Sequence, residues 1–266
     1  MKALHIVNDG LHVSVSQIKT WLRCPRQYEL KYVRGFKPES VPRALAFGSA
    51  FHSALAHYYT AKKNTTAAAT ADELVEVFRA AWTENTSGSI PIETANDDAA
   101  DPMDLGGKML GAFAEHAAND TSEVLAVEEP FTSTLRDPDS GEVLEEVLTG
   151  YIDLIVLEDE RPVVVEHKTS AKKYGADQLR FDVQPTGYQH AMHERGWRDV
   201  GLRFQIVTKT KTPQVQVEEI MRDQADELDF LRTAVGVLRA IDAGVFFPIR
   251  GWQCRGCQYR RRCGAP

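Results

Sequence analysis

Between Gly150 and Lys168 the chain reads GYIDLIVLEDERPVVVEHK, two runs rich in β-branched residues around the polar pair Asp159–Glu160. That is the pattern of a β-hairpin. A turn centred on the pair sets Asp153 opposite Glu166, where Cβ atoms of facing residues lie about 5 Å apart. Side chains two apart on a strand share a face, so Lys168 joins the two acids while His167 points away. Ile152, Leu154, Val163, Val164 and Val165 would bury the surroundings. Two carboxylates that close repel unless a proton or a cation lies between them. A hard divalent cation, Mg²⁺ or Mn²⁺, accepts oxygen ligands and keeps water positions open, which suits phosphodiester hydrolysis. Lys168 would then orient or activate the attacking water, or offset charge on the phosphate. Acids also occur on strand faces without any chemistry, so the motif needs support from the rest of the chain.

The elements that must position these groups are legible around it. An extended or irregular lead-in over residues 1–15 is expected to end at Ser16, a cap for the helix QIKTWLR. Cys24 and Pro25 interrupt that helix, and Pro25 restarts one that Gly35 stops, with Tyr28, Tyr32 and Val33 turned inward. From Arg43, Phe47, Phe51, Leu55 and Tyr58 recur at helical spacing. Gly48, His52, Ala56 and Tyr59 form the neighbouring stripe, so His52 stands on a flank of small residues. ADELVEVFRAAWTE is an amphipathic helix on Leu74, Val77, Phe78 and Trp82. A polar, acidic connection over 85–102 follows, then a helix over about 104–119 and the first long strand, SEVLAVEEPFTSTL. GGKM within that helix has Met109 where a phosphate-binding loop needs Ser or Thr, which excludes a nucleotide-driven motor of that type. After the hairpin come a polar loop with Lys172 and Lys173, and a helix started by Pro185 with Gln184 and Tyr188 on one face. A polar contact to DNA backbone from Gln184 and a ring against a base from Tyr188 is one reading of that pair, and a buried Gln–Tyr hydrogen bond is the other. A strand pair around Lys209 and Lys211 and a long helix ended by Gly244 complete the chain.

The four cysteines are Cys24, Cys254, Cys257 and Cys263, a C…C-x2-C-x5-C spacing that would use every thiol on one metal centre. No secretion signal is evident at the N-terminus, which argues against disulfides. A zinc ion and a [4Fe-4S] cluster both remain open from spacing alone, with structural zinc sites the commoner of the two.

The composition is that of a globular protein able to bury one sizeable core in 266 residues. A net charge of −7, from 31 basic and 38 acidic residues, excludes a protein coated in positive charge for indiscriminate nucleic-acid binding. Residues 250–266 are the exception, with five arginines and no acid. No window reaches the length of a membrane span, so no membrane partner is expected and the protein should reside in the cytoplasm.

Taken together, FGSAFH ending at His52, GYID ending at Asp153, EHK from Glu166 to Lys168, QPTGY giving Q-x3-Y at Gln184 and Tyr188, and the one-plus-three cysteines are similar to the RecB-like branch of the PD-(D/E)XK nuclease superfamily. Within it the chain most resembles iron-sulfur exonucleases related to the CRISPR-associated and AddB-type nucleases, including phage-encoded ones. The resemblance implies an α/β fold of restriction-endonuclease type, a mixed central sheet flanked by helices. It implies one domain over 1–266, with a helical elaboration at about 60–122 and an iron-sulfur patch joining Cys24 to 245–266. It implies that His52, Asp153, Glu166 and the carbonyl of His167 hold Mn²⁺ or Mg²⁺ and that Lys168 is catalytic, with Gln184 and Tyr188 in the same site. It also turns the cysteine reading from zinc to [4Fe-4S] on Cys24, Cys254, Cys257 and Cys263. The function expected is a metal-dependent DNA exonuclease acting on single strands or DNA ends in recombination, repair or CRISPR-type processing. The alternative is a non-catalytic iron-sulfur DNA-binding or assembly protein on a nuclease fold.

Overall fold

The computed structural model describes residues 6–7, 10–65, 68–92 and 100–264. Parts of the expected lead-in and of the 85–102 connection lie outside the described residues. The lead-in nevertheless contains two strands, β1 (Ile6–Val7) and β2 (Gly10–Ser14). The cap of α1 (Val15–Arg23) is Ser14 and not Ser16: Ser14 Oγ accepts from the Gln17 N–H at 3.2 Å, and Gln17 Oε1 accepts from the Ser14 N–H at 2.6 Å. That reciprocal pair is a capping box. After Cys24, α2 (Pro25–Tyr28) passes into one π-helical turn over Glu29–Val33. Tyr28 is buried there as expected, but Val33 is exposed because the π turn rotates it outward. Gly35, at φ +62°, ends the segment.

Three helices follow: α3 (Arg43–Asn64), α4 (Ala71–Thr86), opened by a Thr70–Glu73 capping box, and α5 (Pro102–Ala117). Then come β3 (Glu123–Arg136), β4 (Val143–Glu158) and β5 (Arg161–Ser170). The loop expected after the hairpin contains a short helix, α6 (Ala176–Phe181), before α7 (Gln184–Glu194). β6 (Gly201–Thr208), β7 (Val215–Ile220) and α8 (Gln224–Asp242) lead to a 3₁₀ turn at Trp252–Cys254 and a last short helix, α9 (Arg260–Cys263).

The sheet is mixed, in the order β1-β2-β4-β5-β6-β7, with β3 along the opposite edge of β4. β4 is longer than any of its neighbours on the first edge. Its early half runs parallel to β2, ending at Ser14↔Thr149, and its late half runs antiparallel to β5, beginning at Leu154↔Val165. The sheet therefore forks along β4 between residues 149 and 154.

Each face is covered by helices, as strands with few polar positions require. On one face α1, α7 and α8 bury Ile18, Tyr188, Phe230 and Leu238 against Val13, Leu148, Ile152 and Val164. On the other, Phe47, Phe51, Leu55, Phe78, Leu110 and Phe113 cover Leu154, Val156, Val163 and Val165. The helices over 43–117 thus share one apolar cluster with the sheet, and α3 carries His52 across it.

Candidate functional site

The hairpin turn places both Asp159 and Glu160 at positive φ, +50° and +63°. Two such residues match the right-handed twist of the flanking strands. Pairing then runs from Glu158↔Arg161 to Leu154↔Val165, which sets Asp153 level with Glu166. There the ladder gives way to a side chain: the His167 N–H donates to Asp153 Oδ2 at 2.9 Å. Across the other edge of β4, Val127↔Leu154 and Glu129↔Ile152 bring Glu128 level with Asp153. Glu128 sits at φ +48°, a left-handed conformation that costs a non-glycine residue about 1 kcal/mol or more. From α3, His52 Nδ1 reaches to 3.5 Å of Asp153 Oδ2. One donor atom each from His52, Glu128 and Asp153 lie within 4.8 Å of one another.

The second predicted acid, Glu166, is 2 % exposed. Its Oε1 accepts from Lys168 Nζ, while its Oε2 has no hydrogen-bond partner among the described residues. An unpaired buried carboxylate oxygen is costly, and a cation relieves it. Lys168 Nζ also donates to Gln184 Oε1 at 3.0 Å, and Gln184 Nε2 donates to the Tyr188 hydroxyl at 2.6 Å. Tyr188 is buried and packs edge-on against Phe131. It has no open face for a base, so Gln184 and Tyr188 form a brace for the lysine. The His167 ring lies on the opposite face of β5, stacked on Tyr59 with centroids 5.5 Å apart. That leaves the main chain of His167 toward the acids and its side chain away from them.

Protonation follows from burial and charge. Burial pushes the Glu166 carboxyl up to about 7, Lys168 opposes this and Asp153 adds to it. Burial drives His167 down to about 4 and keeps it neutral. Asp153 is held below its ordinary range because His52 and the His167 N–H outweigh its burial. Desolvation and the Asp153 charge raise Glu128. The pairing with Asp153 raises His52 against the effect of its own burial. A divalent cation among these groups would reverse the upward pressures by supplying the positive charge they lack.

Sequence reasoning did not select Glu128. The available signal was two acids directly before a proline, Glu128–Glu129–Pro130, inside a strand of otherwise alternating pattern.

The four cysteines, far apart in sequence, line one cavity together with Gln27, Leu30, Ile249 and Gln253. Cys24 caps the break between α1 and α2, and its Sγ accepts from the Ile249 N–H at 3.5 Å. Burial first, then the other three thiols, raise the Cys257 thiol. Main-chain bonds tie the two ends of the chain around the cavity, from the Arg26 N–H to Phe247 O at 3.1 Å and from the Glu39 N–H to Gln258 O at 2.9 Å.

The sequence profile of the PD-(D/E)XK nuclease superfamily matches residues 12–264. The chain belongs to that superfamily. Its members use divalent metals, and the His52–Glu128–Asp153 group is a possible acidic site for one. The nuclease fold is also similar to that of a candidate exonuclease from Eubacterium rectale, at 13% identity and a TM-score of 0.54 over 94% of this chain and 87% of the other. A second solved structure, SSO0001, aligns at 15% identity and a TM-score of 0.48 over 98% of this chain and 89% of that one. No curated protein matches the sequence. Among the described residues, no helix of the nuclease is long and apolar enough to cross a membrane.

Proposed function

We propose that this nuclease is a metal-dependent DNA exonuclease of the RecB-like, iron-sulfur type. The observation that carries the reading is the convergence of His52, Glu128 and Asp153 donors, with Glu166, whose Oε2 has no partner among the described residues, level with Asp153 on the next strand and paired with Lys168. His52, Asp153, Glu166 and the carbonyl of His167 would hold Mn²⁺ or Mg²⁺, with Glu128 as a further carboxylate. A bound divalent cation supplies two things: a lowered pKa for water and charge for the phosphate oxygens.

The chain's own groups do the rest. Glu166 and Gln184 fix the Lys168 ammonium, whose remaining N–H can donate to the attacking water or to a non-bridging phosphate oxygen. Asp153, kept ionised by His52 and the His167 N–H, is a steady ligand and not a proton carrier. The leaving oxygen departs as water adds to phosphorus, with no covalent protein intermediate.

The four cysteines, which line one cavity, would hold the [4Fe-4S] cluster in this reading. The segment 250–264, with its five arginines, offers the same patch a grip on backbone phosphates.

Labelled single-stranded DNA incubated with the protein and Mn²⁺ should be shortened from an end, and EDTA should stop the reaction. Oligonucleotides blocked at one end read the polarity. Tight DNA binding without any cleavage would instead support a non-catalytic assembly role.

A further inference from the structure

The fork in the sheet creates a second opening onto the catalytic row. Between Thr149, the last β4 residue paired with β2, and Leu154, the first paired with β5, this edge of β4 has no strand beside it among the described residues. A cleft of about 700 Å³ fills the gap, a size ordinary for small-molecule sites. Its lining differs from that of the opening on the α3 side, where His52, Glu128 and Lys168 gather. Asp153 is the one acidic or basic side chain in it apart from His12, and the rest are hydroxyls such as Ser14 and Thr149, aromatic rings, the Gln17 and Gln184 amides and small apolar residues. A phosphate backbone has little to bind in such a place. A neutral heteroaromatic base with its sugar has a great deal.

Tyr151 decides what the cleft can hold. It lies two residues before Asp153, about 6.6 Å along the strand, and lines the same cleft as that acid. Its side chain is 63 % exposed and makes no ring contact or hydrogen bond among the described residues. Gly150 beside it is required by packing, because a Cβ there would meet the Phe131 ring at 2.8 Å. The floor of the cleft is therefore closely packed, and the exposed ring stands on a central strand next to Asp153.

We propose that this cleft is the nucleoside subsite for the nucleotide adjoining the scissile phosphate, with the Tyr151 ring as its stacking platform. The inference rests on the nuclease reading and deepens it. A base on Tyr151 presents its pairing edge to the hydroxyls and to the open edge of β4, leaving no place for a complementary strand. The enzyme therefore acts on unpaired DNA.

Single-turnover cleavage in Mn²⁺ tests this, using one oligonucleotide and a series in which an abasic site replaces each base in turn. The wild type should cut the phosphate next to the abasic site about tenfold more slowly, the size of one base-stacking contact. Tyr151→Ala should cut intact and abasic DNA at the same slow rate, and Tyr151→Phe should keep the wild-type ratio. Mn²⁺ affinity and melting temperature should not change in either variant. An abasic penalty that is the same in Tyr151→Ala as in the wild type, or wild-type cleavage of blunt duplex as fast as of single strands, overturns the subsite. Failure of the wild type to cut any DNA overturns the nuclease reading itself. In that case quenching of 2-aminopurine in a bound oligonucleotide, lost in Tyr151→Ala, would still report base stacking in the cleft, and its absence would remove the subsite as well.

Discussion

The proposed hydrolytic site and the cysteine patch are assembled in opposite ways. The acids stand on neighbouring strands of one continuous sheet, with apolar layers on both faces and a hairpin register that sets Asp153 against Glu166. The cysteines stand on a helix break, a 3₁₀ turn and a four-residue helix, none of which could form alone in water. A handful of main-chain bonds, and the Glu39 carboxylate accepting from the Arg261 and Arg262 N–H groups, tie those pieces together. Strand register and packing on both faces fix where the acids stand. In the proposed reading the patch depends on a cluster held by the thiols. A ligand lost from the first site should remove chemistry, and one lost from the second should remove structure.

The largest expected effect is therefore on folding. Cys24 and Cys254 are 230 positions apart, and closing a loop of that length restrains the unfolded chain by about 5 kcal/mol in the chain-entropy model. That is comparable with the whole stability of a typical domain. Cys24→Ser should give colourless, aggregation-prone protein, whereas the wild type should be brown, with about four irons and no stoichiometric zinc by elemental analysis. A soluble and fully active Cys24→Ser variant would break the contrast at once.

Next comes chemistry without structure. Asp153→Ala and Glu166→Gln should each lower cleavage by at least about a thousandfold, since metal-assisted charge stabilisation supplies several kcal/mol. Their stabilities should diverge in EDTA. Asp153 accepts from the His167 N–H and lies against His52, so its loss should cost about 1–2 kcal/mol. Glu166 keeps one oxygen unpaired, and the neutral amide can still accept from Lys168 through the other, so this change should cost less than the loss of Asp153. Added Mn²⁺ should raise the melting temperature of the wild type far more than that of either variant. Equal destabilisation of the two in EDTA would show that the sheet does not position the acids independently.

A smaller effect belongs to the brace. Gln184→Ala frees Lys168 from one of its two holds and should lower kcat about tenfold while leaving KM and Mn²⁺ affinity near wild type. A rise in KM with kcat unchanged would mean that Gln184 touches DNA directly.

The smallest effect lies away from both regions, between α7 and α8. Both His190 nitrogens face acceptors, Glu227 Oε1 at 2.8 Å and the Thr134 carbonyl at 2.9 Å. Burial disfavours the imidazolium, but these two contacts outweigh it and raise the pKa, while Glu227 is held below its ordinary range by His190 and His193 against its own burial. The His190 contribution is thus fully present below its unfolded pKa and is lost as pH rises through the folded one. That of Glu227 is present above its unfolded pKa and is lost as pH falls. His190→Gln should cost about 1–2 kcal/mol near pH 6 and progressively less toward pH 9, read from urea titrations. A cost that does not vary with pH would mean that His190 is neutral throughout.

Much of this protein was determined by local chemistry and is therefore legible in the sequence. The hairpin turn, the stripe that carries His52, the Gly35 and Gly244 stops and the alternation that puts Lys168 beside Glu166 depend on periods of 2 and 3.6 residues and on a few conformational preferences. Residues that depend on partners from afar were decided by tertiary structure. Ser14 and not Ser16 caps α1 because β2 runs up to it beside β4. Glu128 reaches Asp153 through a β3 register that shifts at Val124/Ala126 and again at Thr134/Arg136, and bulges of that kind have no simple residue code. Tyr188 is a brace because Phe131 and Gln184 close over it, and Tyr151 is open because two strands part on either side of it. Side-chain periodicity names the face a residue occupies. What else occupies that face depends on which strands and helices are brought together, and that is settled by packing across the whole sheet.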